Sequence, residues 1–212
     1  MMIRAARAAS AVPLLDPFAP AWAAVGSLRV ALAPTPLGLQ PTAYVRAAWS
    51  ARAYGRAGAL EVACAHDGER VLFRLRWPDA SEDSAGPDAF PDAAAVALPV
   101  RGAPVLALMG APEAPIHLLH WQAGREPARS VLATGIGSTR AGADVGAEAR
   151  GTWKAGVWSV VIARRLGAPP EAAPLAAGAH TGVGFAVWDG GNQERAGIKA
   201  FSGNWIPLEL AV

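Results

Sequence analysis

Lysine is scarce in this chain: Lys154 and Lys199 stand against seventeen arginines in 212 residues. A guanidinium stays charged, whereas a buried lysine can lose its proton and offer a nitrogen lone pair. Lys199 sits between Ile198, Ala200 and Phe201, in a stretch from Val183 to Trp205 that reads VGFAVWDGGNQERAGIKAFSGNW. Desolvation in such a setting lowers the amine pKa and frees the lone pair for a metal. Met109 is the one methionine outside the initiating pair. Its thioether is a soft ligand, suited to haem iron or copper and indifferent to zinc or calcium. Gly110 after it lets a flat ligand or another backbone come close. A core-filling methionine and a surface lysine are the plainer readings of the same two residues.

Other candidates have less behind them. His117 and His120 form an i, i+3 pair that a zinc site would have to supplement with a distant third ligand. Cys64 lies on the apolar face of an expected strand, where a buried structural thiol is the default, and His66 falls at a turn, where it is expected to be exposed. Five carboxylates lie between Pro78 and Asp92 without the spacing of a calcium loop, which favours a solvated acidic loop. GIGSTRAG (135–142) has glycines but no strand-to-helix setting for phosphate, and no G-x-S-x-G occurs.

Composition narrows the classes further. The formal charge is +2 and the arginines are scattered, which gives no patch for nucleic acid or a membrane surface. One cysteine excludes an internal disulfide, and no run approaches the roughly 18 apolar residues of a membrane span. The first 22 residues are interrupted by Arg7, Pro13 and Asp16, so they read poorly as a secretory signal.

The elements expected to position these residues are strands. Period-two alternation marks Ser27–Ala33 and a hairpin from Leu60 to Trp77 around Asp67-Gly68; Ala93–Val100 reads as a short apolar strand buried on both sides, Trp153–Leu166 contains a strand with Trp158, Val160 and Ile162 on one face, and Val183–Asp189 is an apolar strand. A further strand is expected around Val45–Ser50, and a final edge strand at Ile206–Val212. Residues 122–152 show little periodicity and read as a long excursion. The fold expected is mainly β: an antiparallel β-sandwich with long loops and a few short helices. Residues 1–24 form an extended N-terminal segment, wrapped over a surface, and residues 25–212 a single domain. The eight tryptophans suit such a core.

Four blocks resemble a known family when taken in order. They are FPDAAAVALP (90–99), LMGAPEAPIHLLHW (108–121), GVWSVVIARRL (156–166) and FAVWDGGNQERAGIKAFSGNW (185–205). Over about residues 55–210 the chain resembles the haem-binding gamma subunits of the ethylbenzene dehydrogenase and dimethylsulfide dehydrogenase family, to which chlorate and selenate reductase subunits are similar. The resemblance implies one b-type haem (haem b) with its iron held axially by a methionine, here Met109, and a lysine, here Lys199; Lys154 lies outside the motif. Two protein ligands fill both axial positions, which implies electron transfer rather than catalysis. The implied partners are a molybdopterin-containing catalytic subunit, an iron–sulfur subunit and a soluble carrier such as a c-type cytochrome. The implied location is the periplasm, with export alongside a partner subunit; a cytoplasmic relative is the alternative. Arg164, Arg165 and Arg195 are candidates to meet the haem propionates. The rival is a haem-free β-sandwich binding module for carbohydrate or a partner protein, its tryptophans forming a stacking platform. Such a module has no reason to keep Met109 and Lys199 together.

Overall fold

In the computed structural model, which describes residues 2–87 and 89–212, the Asp67-Gly68 hairpin forms where its alternation places it. Strands β4 (Ala59–His66) and β5 (Arg70–Pro78) pair antiparallel around it. The Asp67 carboxylate accepts from the amides of Glu69 and Arg70 at 3.0 and 2.8 Å, and Gly68 takes φ +96°. That left-handed backbone is why glycine suits the turn.

The remaining strands, named in chain order, are β1 (Ile3–Arg7), β2 (Ser27–Ala31), β3 (Ala33–Pro34), β6 (Ala93–Pro99), β7 (Ile116–Gln122) and β8 (Arg125–Ala133). They continue with β9 (Thr139–Ala141), β10 (Glu148–Lys154), β11 (Val157–Arg165), β12 (His180–Trp188), β13 (Ala200–Phe201) and β14 (Ile206–Leu210). One half of the sheet runs β10-β11-β5-β4, with β2 on β4; the other runs β14-β12-β6-β7-β8-β9, with β13 and β3 beside β12. The halves fold face to face, so that Phe73 of β5 meets Phe185 of β12 at 6.5 Å between ring centroids and Trp77 meets Trp121 at 6.3 Å. The inner faces, Val62, Phe73, Val96, Leu119, Ile162 and Val183 among them, make the main core.

The expected β-sandwich is therefore present, with four differences. First, β1 pairs parallel with β14 through Ile3–Ala5 and with β4 through Ala6–Arg7, stitching the halves into one mixed sheet. Beyond it residues 11–22 do wrap a surface: Leu14, Leu15 and Trp22 cover Ala63, Leu72 and Val161 on the outer face. Second, β14 lies between β1 and β12, not at an edge. Third, the segment near Val45 is helix α1 (Ala43–Trp49), started by Thr42, whose hydroxyl accepts from the Val45 amide at 3.2 Å. Fourth, residues 122–152 contain β8, β9 and the start of β10. Much of β8 and all of β9 is exposed, so their pairing is backbone-driven and leaves no two-residue apolar period to read.

Candidate functional site

Strand β6 reads Ala-Ala-Ala-Val-Ala-Leu-Pro, and its pleat sorts these residues by size. Ala94, Val96 and Leu98 enter the core between the halves, whereas Ala93, Ala95 and Ala97 face outward into a second apolar cluster with Ile116, Ala186, Trp188 and Phe201. A row of methyl groups makes a shallow floor. Ala95 and Ala97 line a small pocket of about 40 Å3 with Met109, Leu118, Trp188 and Lys199, and the same four larger residues border an adjoining cavity of about 500 Å3, reached from β6 by Ala93 and within the range of a cofactor site. α1, through Val45 and Trp49, and the segment after β12, through residues 194–199, close the cavity.

Met109 enters from the end of a one-turn 3-10 helix, Leu106–Leu108, in the left-handed conformation (φ 59°, ψ 32°). Its amide donates to the Leu106 carbonyl at 3.0 Å, and its carbonyl accepts from the Gly135 amide at 3.0 Å. A Cβ on Gly110, at φ +78°, would stand 2.8 Å from the Ala114 carbonyl oxygen. The glycine therefore serves the approach of another backbone, the second of its two sequence readings.

Lys199 directly precedes β13 and is 7% exposed. Its carbonyl accepts from the Thr35 amide at 3.0 Å, which anchors the backbone. The turn before it is fastened at several points. The Trp188 indole donates to the Ala196 carbonyl at 3.1 Å, and the Gln40 side-chain amide donates to the Gly197 carbonyl at 3.0 Å. The fully buried Glu194 accepts from the Gly55 amide at 2.7 Å and from the Asn192 side chain at 3.1 Å. The amine is thus held on a rigid base. Lys199 Nζ lies 3.9 Å from Met109 Sδ, 3.3 Å from the Ala196 carbonyl oxygen and 5.4 Å from the centre of the Trp188 ring. Burial pushes its pKa down to about 8, toward the neutral form a metal requires.

The two donors approach each other across one cavity wall. The Lys199 amine reaches the Met109 sulfur directly, at 3.9 Å, so one nitrogen donor and one soft sulfur donor that would suit a haem iron stand together at the same wall. Lys154 is exposed at the end of β10, in the other half of the sheet.

The remaining candidates are separated from one another. His117 and His120 lie on one strand at odd spacing, so they face opposite sides and cannot share an ion. His117 points into the core, with Nε2 2.9 Å from Ser130 Oγ and Nδ1 3.4 Å from Arg164. His120 lines the cavity, edge-on to Trp188 at 5.2 Å. Burial pushes both down to about 4, helped at His117 by Arg164 and at His120 by Arg129 and Lys199. Arg164 is fully buried and donates to the Ala173 carbonyl at 2.8 Å, and Arg165 pairs with Asp144 at 3.3 Å; neither reaches the cavity. Arg195 does, and so does Arg129, which sequence reasoning passed over because one more arginine on a polar strand carries no signal.

Cys64 is buried and its thiol is pushed up, as befits a structural residue. His66 is buried rather than exposed: β1 and the residues near Ala211 close over the hairpin end, and among the described residues neither ring nitrogen has a hydrogen-bond partner. The acidic loop is not simply solvated, although Asp88 lies outside the described residues. Its Asp79 and Asp92 come within 4.8 Å of Asp189. Asp92 is fully buried, accepting from the Asp83 and Gly190 amides and the Trp158 indole at 2.8, 2.8 and 2.9 Å. Burial first, then the neighbouring carboxylates, pushes Asp79 up to about 7. None of the eight tryptophans is exposed, so there is no platform of open rings.

Comparison with known proteins agrees with this architecture. Two carbohydrate binding module family 9 structures from Caldicellulosiruptor kristjanssonii share the fold. The glucose complex has TM-score 0.54 at 11% identity over 98% of this chain and 94% of that one. The cellotriose complex has TM-score 0.52 at 9% identity over 99% and 93%. At such identity the likeness is one of fold alone. Sequence relatives are more specific. A protein of Haloferax mediterranei named as a respiratory nitrate reductase heme subunit is 33% identical over 192 residues, 88% of this chain and 65% of the relative. The chlorate reductase subunit gamma of Ideonella dechloratans is 34% identical over 66% of this chain and 60% of its own length. The dimethylsulfide dehydrogenase subunit gamma of Rhodovulum sulfidophilum is 29% identical over 69% and 58%. The chain thus spans between 58% and 65% of the length of these relatives. The ethylbenzene dehydrogenase family profile matches residues 19–147 and 130–200, which cover both Met109 and Lys199, and the chain belongs to that family.

Proposed function

We propose that this protein is the haem-carrying electron-transfer subunit of a molybdopterin oxidoreductase complex, with Met109 and Lys199 as the two axial ligands of one b-type haem. The observation that carries the reading is the 3.9 Å approach of Met109 Sδ to Lys199 Nζ, ninety positions apart in sequence, at one apolar cavity. The names of the relatives, a heme subunit and two gamma subunits, support it.

Haem in such a site supplies a one-electron couple with no open axial position for substrate. The chain supplies the rest. Lys199 gives up its proton in an apolar setting, Met109 would supply a soft sulfur donor, and the apolar cavity beside them offers room for a flat ring. His120, kept neutral, packs beside Trp188 without adding charge. The subunit transforms no substrate by itself. It passes electrons between an iron–sulfur partner, itself docked on the molybdopterin subunit, and a soluble carrier such as a c-type cytochrome. A periplasmic location goes with this reading; no helix among the described residues is long and apolar enough to cross a membrane.

Reconstituted with haem, the chain is expected to give the Soret and sharp α bands of a low-spin six-coordinate iron. Lys199→Ala and Met109→Ala should each shift the spectrum to high spin, and Lys154→Ala should leave it unchanged. A colourless protein after haem is supplied would sink the reading. Equal spectral effects of Lys199→Ala and Lys154→Ala would sink the ligand assignment.

A further inference from the structure

The cavity is apolar within but carries two guanidinium groups among its lining residues. Arg129 and Arg195 both line it and are both exposed, as side chains at a mouth are. The Arg195 guanidinium carbon lies 4.3 Å from the Phe90 ring centre, and Nη1 donates to the Gln193 carbonyl at 3.1 Å. Arg129 donates to the side-chain oxygen of Gln122, a neighbour along the same wall. Both groups are therefore braced by neutral partners. Among the described residues neither has a carboxylate within ion-pair distance, in contrast to Arg140, which pairs with Glu171, and Arg165, which pairs with Asp144.

The one acid lining the cavity is Glu194, and backbone and side-chain amides already occupy its oxygens. A cavity with two guanidinium groups that pair with no carboxylate among the described residues, and with its own acid already occupied, suits a ligand that is flat and apolar in its body and doubly anionic at its edge. Guanidinium forms charge-assisted, often bidentate hydrogen bonds with carboxylates, so a carboxylate is the fitting anion.

We propose that Arg129 and Arg195 form a carboxylate clamp that engages the two propionates of the bound porphyrin and thereby fixes its in-plane orientation in the cavity. The inference rests on the haem reading above. It also reassigns the propionate partners, since Arg164 and Arg165 lie off the cavity.

The test titrates the 212-residue chain, stripped of haem, with hemin and with hemin dimethyl ester, in which both carboxylates are masked, following the Soret band. Wild-type protein should bind hemin about tenfold more tightly than the ester, as expected for two charge-assisted contacts at an exposed rim. Arg129→Gln with Arg195→Gln should erase that preference, leave the Soret position unchanged because the axial donors are intact, and leave ester binding untouched. Arg165→Gln should behave as wild type. Equal affinity of the wild-type chain for acid and ester would overturn the clamp while the haem reading stands. No Soret band with either compound would overturn the haem reading and the clamp with it.

Discussion

Lys199 is the residue on which the proposed chemistry turns, and its protonation is measurable without any cofactor. In the folded chain its pKa falls from 10.5 to about 8 because burial disfavours the charged form. Between those limits the unfolded chain binds more protons than the folded one, so stability should rise as pH rises through that window. Between about pH 7.5 and about pH 9.5 the gain is about 2 kcal/mol, since each pKa unit is worth about 1.4 kcal/mol. Urea denaturation of the haem-free chain at about pH 7.5 and about pH 9.5 measures it. Lys199→Met should remove the rise, and a wild-type slope in that variant would contradict a buried amine. Met109 has no such handle; its position depends on the left-handed turn, where φ is 59°.

On the scale of elements, β6 divides the labour between its two faces. Leu98 is fully buried in the main core, so Leu98→Ala should cost about 2–5 kcal/mol while sparing the haem spectrum of the reconstituted protein. Ala95 is on the outward face, paired across to His120 of β7, and lines the small pocket that also holds Met109 and Lys199. Ala95→Leu projects a larger side chain toward those two donors. It should abolish the Soret band at a stability cost of about 1–3 kcal/mol, the usual cost of overpacking. Thermal melts and haem titration of the two variants should therefore give opposite patterns. Loss of haem binding in Leu98→Ala but not in Ala95→Leu would mean that the ligand lies between the two halves of the sheet.

Buried titratable groups set the pH profile of the whole molecule, and they oppose one another. His117 and His120 are pushed down to about 4 from 6.5, so their contribution to stability is lost as pH falls below about 6.5. Asp79 is pushed up from 3.8 to about 7, so its contribution falls as pH rises through that interval, and Asp92, also pushed upward, acts in the same direction. The two trends oppose each other, so the wild-type profile should be shallower between about pH 4.5 and 6.5 than the histidines alone would make it. Asp79→Asn should unmask the histidine slope, with stability falling steadily on acidification and higher than wild type near neutral pH. A melting-temperature series for the two proteins tests this; parallel profiles would mean that Asp79 titrates normally.

Where a strand enters the core, the sequence announces it. The Leu60–Trp77 hairpin carries the two-residue period, β6, β11 and β12 read as apolar runs buried at most positions, and Met109 and Lys199 stand out by rarity and setting. Edges and crossings were not legible. β8 and β9 pair through backbone groups that every residue possesses, β1 is too short and alanine-rich to betray its parallel partners, and α1 owes its start to one Thr42 hydroxyl. The site shows the same division. Residue type and setting alone determined that this chain holds one internal methionine, with a soft thioether, and one lysine in an apolar stretch, capable of losing its proton. Only the tertiary structure decided that they lie 3.9 Å apart, that His117 and His120 face opposite ways, and that Arg129 rather than Arg164 reaches the cavity. Side-chain chemistry is written residue by residue, whereas proximity between distant segments is set by which strands pair and which face each one turns to the cavity.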